Sequence, residues 1–183
     1  MPVIRKYDLS NITREELAYI AGFIDGDGCF YIGVVNTKTP KGNTYKNFVT
    51  SIKISNNDPG VLLWIKQVIG GTLEIKKHKL DKHRNAPCYS LWIGGNLLTD
   101  LCKLLIPFLK VRHEQAKVME QMRDTYSRTG SRGRVKPPED IQKLRCSLCI
   151  QLHQLNSRFK SHPLKNLAPC DPPDLCSKDF QVN

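Results

Sequence analysis

The chain has 183 residues, and 28 Lys and Arg against 17 Asp and Glu give it a formal net charge of +11. That length fits one domain with a sizeable core, and a cationic surplus of this size points to a polyanionic partner, nucleic acid ahead of anionic membrane. No run is apolar enough to span a bilayer and no signal-peptide or lipid-anchor pattern is visible, while seven cysteines, an odd number, argue against a disulfide framework.

The first element is an apolar helix over Leu17-Ala18-Tyr19-Ile20-Ala21-Gly22-Phe23-Ile24 that runs into Asp25-Gly26-Asp27-Gly28. Thr13 and Glu16 have the spacing of a capping box, and Ile12 and Leu17 that of the accompanying hydrophobic staple. Gly26 and Gly28 are expected to stop the helix. Ala18, Gly22 and Asp25 fall on one stripe, with Ala21 beside it, and small residues at this spacing let a second helix approach closely. The chain holds one such motif, so the partner helix is expected from a second copy of the protein. Two carboxylates at a helix C-terminus oppose the helix dipole, which suggests that a cation belongs among them.

A strand over Cys29–Asn36 follows, with Phe30, Ile32 and Val34 on one face and Tyr31, Gly33 and Val35 on the other. The polar segment Thr37–Lys46 reads as a long hairpin loop, and Asn47–Ser55 as the returning strand. Asp58 is the expected N-cap of a helix over Val61–Ile69, with Pro59 at its first position and Gly70-Gly71 ending it. Leu73–Leu80 and Cys88–Ile93 form a second hairpin, with Leu73, Ile75, Tyr89, Leu91 and Ile93 facing in and Glu74, Lys76, His78, Ser90 and Trp92 facing out. Helices over Asn96–Leu105, His113–Ser127 and Pro138–Gln154 complete the pattern. Ile141, Leu144, Leu148 and Leu152 are expected on the inner face of the last one.

The order helix, two strands, helix, two strands, helices implies an α+β fold, αββαββα, with helices on one face of an antiparallel sheet. Residues 1–160 are read as one domain and 161–183 as a Pro-rich tail that docks or frays. The uncovered face carries polar, aromatic and basic groups and is a plausible saddle for double-stranded DNA, whose major groove admits β-ribbons. Candidate contacts are Tyr31, Gly33 and Val35 on the first strand, and Lys38, Lys41 and Tyr45 around its loop. Asn47 and Lys53 follow on the second strand, then Glu74, Lys76, His78, Ser90 and Trp92 on the second hairpin. Arg132 and Arg134 in the basic loop 128–138, with Arg158 and Lys160 beyond the last helix, are candidates for phosphate contact.

The segment LAYIAGFIDGDG resembles the signature of the LAGLIDADG homing endonucleases, specifically the small single-motif members that act as homodimers. The Ile54-Ser55-Asn56-Asn57-Asp58 turn, the Ile69-Gly70-Gly71 helix end, the Pro107-Phe108-Leu109-Lys110-Val111-Arg112 run and the Gln154-Leu155-Asn156 helix end resemble that family's landmarks in the same order. The resemblance covers roughly residues 10–160. It implies a site-specific, intron-encoded DNA endonuclease that makes double-strand breaks at a long pseudo-palindromic target by Mg²⁺-assisted hydrolysis. Ala18, Ala21, Gly22 and Asp25 then fall at the homodimer interface, and Asp27 with the Gly26 carbonyl at the metal. The resemblance assigns the surrounding shell to Arg112, which stands where relatives carry Lys, together with Lys110 and Asn56. Asn56 falls where relatives often place a water-holding Gln. A further basic residue expected after this turn falls near Pro59-Gly60 and is absent.

Two rival readings stand on the same fold: an intron maturase that binds RNA, and a non-cleaving DNA-binding regulator. The intact Asp27 and Arg112 favour the nuclease. The cysteine count and the absence of a secretory signal place the protein in a reducing, intracellular setting, an organelle (chloroplast or mitochondrion) or a bacterial cytoplasm. Cys146, Cys149, Cys170 and Cys176 could together hold a structural Zn²⁺, but their spacing is irregular and buried helix cysteines are common, so ordinary core thiols are the favoured reading.

Overall fold

A computed structural model describes residues 9–38, 42, 44–76, 88–129 and 137–157. The elements are α1 (Arg14–Asp27), β1 (Gly28–Lys38), β2 (Thr44–Asn56), α2 (Pro59–Ile69), β3 (Thr72–Lys76), β4 (Cys88–Gly94), α3 (Gly95–Leu105), α4 (His113–Thr129) and α5 (Glu139–Ser157). The four strands form one antiparallel sheet in the order β1-β2-β4-β3. The αββαββα order expected from the sequence is present.

Local chemistry explains the helix starts. The Thr13 hydroxyl accepts from Glu16 N at 3.2 Å, and the Glu16 carboxylate accepts from Thr13 N at 2.9 Å, so both halves of the capping box form. Asp58 caps α2 by accepting from Gly60 N at 2.8 Å, with proline at the first position. The end of α1 differs from expectation. Gly26 does not stop the helix, which continues through Asp27 and is closed by Gly28 in extended conformation, its N–H donating to the Ile24 carbonyl. A Cβ at position 28 would lie 2.6 Å from that carbonyl oxygen, so this junction requires glycine. Gly71 takes φ +107° after α2, where a Cβ would meet the Trp92 carbonyl at 2.7 Å.

The core lies between the helices and one sheet face. Phe30, Ile52 and Ile93 form a row across β1, β2 and β4 by register, and all three are buried together with Ile20 and Ile24 of α1, Leu62 and Ile65 of α2 and Leu101 and Leu105 of α3. Three expected orientations are corrected. Ile75 takes the register position opposite Tyr89 but is 61% exposed, because it lies at the open end of the edge strand. Leu144 is exposed, since the buried stripe of α5 runs through Ile141, Arg145, Leu148, Cys149, Leu152 and Leu155. Ser90 is fully buried on the face expected to meet solvent, its hydroxyl 2.9 Å from that of Ser55 across the β2–β4 pair. A small side chain on a central strand is covered by its larger neighbours.

Arg145 ties α4 and α5 to the sheet. Its Nε donates to Thr125 Oγ1 at 2.8 Å and its Nη2 to the Thr125 carbonyl at 3.1 Å, while the guanidinium lies 4.1 Å from the Tyr126 ring centroid. The Tyr126 hydroxyl donates to the Phe48 carbonyl of β2. Burial lowers the Arg145 pKa, opposed by Tyr126 and Tyr45 nearby, and burial raises that of Tyr126. Asn156 adds a second tie, donating to the Phe30 carbonyl at 2.9 Å.

Arg145→Ala is expected to leave the Thr125 hydroxyl and carbonyl without this donor and to open a cavity, destabilising the protein by about 3 kcal/mol. Urea unfolding monitored by tryptophan fluorescence checks this; a loss under about 1 kcal/mol would show the network to be dispensable.

Candidate active site

The two motif acids do different work. Asp25 is half-buried and turns away from the helix end. Its Oδ2 accepts from Lys110 N at 2.7 Å and Val111 N at 3.2 Å, and its Oδ1 accepts from Arg112 N at 2.9 Å. One carboxylate thus satisfies three backbone donors at the start of the segment leading into α4. Arg112 answers from the other side, its Nε donating to the Asp25 carbonyl at 3.2 Å. A guanidinium at the C-terminal carbonyls of α1 supplies the positive charge that this helix end lacks in its own sequence. The unfavourable anionic end is therefore compensated by a neighbouring segment, through Asp25, and Asp25 is a structural acid.

Asp27, two residues on, is exposed at the last position of α1. Its Oδ2 accepts from Asn56 Nδ2 at 2.8 Å. Asn56 sits at the end of β2, and its Oδ1 accepts from Asp58 N at 2.8 Å. Both ends of the Asn56 amide are engaged, which fixes its orientation: reversed, the amide would set NH₂ against N–H and oxygen against carboxylate. Asn56, where relatives are expected to hold a water, donates directly to the Asp27 carboxylate. Lys110 is exposed and lines a groove beside α1 with Arg14, Ala18, Lys103 and Phe108.

The donor set suits a hard divalent cation. Asp27 offers a carboxylate and Gly26 a main-chain carbonyl in the last turn of the helix, where carbonyls have no partner within the helix. Among the described residues, no group of three His, Cys, Asp or Glu side chains clusters to hold a metal. Cys149 is buried with its thiol 3.9 Å from the Ile32 carbonyl, and Cys146 is half-buried. Cys170 and Cys176 lie outside the described residues. Burial, with Glu120 adding, pushes the Cys102 thiol up to about 12, so it remains protonated.

The expected dimer stripe needs one correction. Ala18 and Gly22 are exposed, and no atom lies within 4 Å of a Cβ built on Gly22 or Gly26. Ala21 is fully buried, because the helical period puts it with Leu17, Ile20 and Ile24 against the chain's own core. The bare stripe is Ala18, Gly22 and Gly26. Beside it Tyr19, 55% exposed, meets Trp64 edge-on at 5.3 Å and Phe23 at 6.3 Å. Sequence reading missed this aromatic flank, although Tyr19 and Phe23 at i, i+4 were its signal.

On the uncovered sheet face, Lys53 Nζ lies 5.0 Å from the Trp92 ring centroid, and Trp92 Nε1 donates to Glu74 at 2.9 Å. Tyr31, Gly33 and Val35 share this face with Asn47 and Lys53 by register. Ser90 is committed to Ser55, and Tyr45 is only 5% exposed. The twist of the ribbon turns its far end, and Tyr45 lines a groove against α5 with Asn36 and Lys46. These two are withdrawn from the exposed set. Lys38 is exposed at the end of β1, and Lys76 takes the register position opposite Cys88. Lys41, His78, Arg132, Arg134, Arg158 and Lys160 lie outside the described residues.

A family model described as LAGLIDADG endonuclease matches residues 20–120, which take in the motif from Ile20 on, the sheet and the Arg112 segment. The chain belongs to the LAGLIDADG endonuclease family. Solved homing endonucleases share its fold. The structure of I-CvuI, in complex with the I-CreI target in the presence of Mg with the DNA not cleaved, superposes with a TM-score of 0.62 at 19% identity, covering 85% of this chain and 88% of that one. An archaeal intron-encoded homing endonuclease, I-Vdi141I, complexed with DNA, gives 0.60 at 19% identity, covering 77% and 84%. I-TnaI gives 0.53 at 18%, covering 78% and 96%. No curated protein sequence matches the chain.

Within this LAGLIDADG chain the two acids should separate cleanly in stability. Asp25→Ala is expected to lose about 3 kcal/mol by stranding three backbone donors, whereas Asp27→Ala, an exposed change, should stay within about 0.5 kcal/mol. Paired urea titrations decide it, and equal losses would sink the assignment of Asp25 as the structural acid. Asn56→Ala, which removes the donor that orients the Asp27 carboxylate, should lower cleavage by about 10–100-fold. Single-turnover kinetics on a cleavable duplex give the measurement.

Proposed function

We propose that this chain is a site-specific DNA endonuclease that works as a homodimer and cuts both strands of a long pseudo-palindromic target, with Mg²⁺ as its cation. The observation that carries this reading is the exposed Asp27 carboxylate, aimed by Asn56, at the end of a helix whose outward stripe is bare. The solved relatives in complex with DNA support the partner, and the +11 charge supports a polyanion.

In this reading, Ala18, Gly22 and Gly26 let the α1 helices of two subunits meet closely, and each brings its Asp27 to the centre of the complex. Asp27 and the Gly26 carbonyl would hold the cation, with phosphate oxygens and waters filling its shell. When bound, such a cation supplies Lewis-acid stabilisation of the charge that builds on the phosphate and favours an ionised water. Arg112 adds fixed positive charge beside that phosphate, and Asp25 sets its place by holding the backbone at 110–112. Arginine where relatives carry lysine keeps the positive charge but changes its geometry to a planar fork of donors.

The ribbon β1–β2 and the strands β3 and β4 would lie along the major groove, with Lys53 among the groups that meet DNA. The intron-encoded relative supports a role in homing of an intron. The odd cysteine count argues against a disulfide framework and is the ground for placing the protein in a reducing compartment, such as an organelle or a bacterial cytoplasm.

Asp27→Asn should abolish cleavage of a target selected from a randomised duplex library while DNA affinity measured in Ca²⁺ is retained; cleavage at the parent rate would remove Asp27 from the chemistry. Gly22→Leu tests the dimer. A Cβ at this exposed position has open space around it within the subunit, and leucine improves helix propensity by roughly 1 kcal/mol, so the fold should persist while sedimentation reports a monomer. A Gly22→Leu dimer of undiminished affinity would place the seam elsewhere.

A further inference from the structure

The uncovered face of the β1–β2 ribbon carries an apolar patch among its polar groups. Val49 is 46% exposed and Val35 38%. The register sets Gly33 opposite Val49 and Val35 opposite Asn47, so the two valines are diagonal neighbours on one face. Tyr31 joins them: a Cβ on Gly33 would lie 2.7 Å from its Cε1, so the ring lies over the bare backbone at Gly33, across from Val49. The missing side chain at position 33 is what makes room for the ring. Lys53, on the same face, supplies charge that attracts a polyanion without selecting a base.

Resting on the endonuclease reading above, we infer that Tyr31, Val35 and Val49 form a thymine-reading patch that packs on the C5-methyl groups of the target. The valine side chains neither donate nor accept hydrogen bonds, so they cannot read the polar pattern of the base edges. The thymine methyl is the apolar group among the edges displayed in the major groove. A two-stranded ribbon is the shape that enters that groove, and these residues lie on the face it would present. The patch therefore assigns sequence preference to two valines without hydrogen-bonding side chains and to the ring face of Tyr31, and Val49, absent from the sequence-based contact set, stands at its centre.

Each methyl buried against the patch should strengthen binding by about fourfold. The test uses a duplex recovered by cleavage from a randomised library, with each thymine replaced singly by deoxyuridine, which removes only the methyl. The dissociation constant is measured in Ca²⁺. In the parent protein, one or two positions per half-site should weaken by about fourfold. In Val49→Ser or Val35→Ser, whose thermal unfolding should match the parent because the positions are exposed, the same replacement should have no further effect. No sensitive thymine, or the same loss in the parent and in both serine variants, would overturn the patch assignment. A library that yields no cut duplex overturns the endonuclease reading instead, and the patch assignment with it.

Discussion

The arrangement of the site depends on one carboxylate that never needs to touch DNA. Asp25 gathers the backbone N–H groups of Lys110, Val111 and Arg112, segments 85 to 87 residues away in sequence. Charge-assisted hydrogen bonds of this kind are about twice as strong as neutral ones, and three converge on one side chain. The bracket docks the α3–α4 connection on the end of α1, brings Arg112 to the helix carbonyls and leaves Asp27 outward. Without it, the helix end would carry two uncompensated anions against its own dipole. The same contact that makes the end of the motif tolerable also assembles the basic half of the site.

The sheet divides labour by face. Its inner face is an apolar layer that accepts the helices, and among the described residues its outer face is free of them. That asymmetry is why period-two patterning could be read directly from β1 and β2, where Phe30, Ile32, Ile52 and Ile54 are all buried. The helix caps were legible for a similar reason, since Thr13 with Glu16 and Asp58 with Pro59 use contacts within a few residues. Local chemistry of this sort needs no knowledge of the rest of the chain.

What escaped the sequence depends on distance or neighbours. Hydrophobic spacing selected Leu144 for the inner face of α5, yet the stripe passes through Arg145, whose burial is made possible by Thr125 and Tyr126 on another helix. Ser90 alternates correctly but is sealed by the strands on either side, and Tyr45 is lost to the outer face at the twisted end of the ribbon. Ala21 is small enough for a helix seam, but the helical period assigns it to the subunit's own core. The separate roles of Asp25 and Asp27 were expected from family resemblance; their physical cause, one acid facing backbone donors and the other facing Asn56, is visible only in three dimensions.

The joint at Gly28 has a consequence for where a cut can fall. Helix α1 ends at Asp27 and β1 begins at Gly28, with no intervening loop and no space above the Ile24 carbonyl for any side chain. The acid and the first residue of the ribbon are consecutive links of one stiff chain. Any sliding of the ribbon along a groove would carry the acid with it, and any tilt of the helix would be felt by the strand. In the proposed reading, the offset between recognised bases and severed bond is thus written into covalent geometry, as a ruler with its blade fixed at one end.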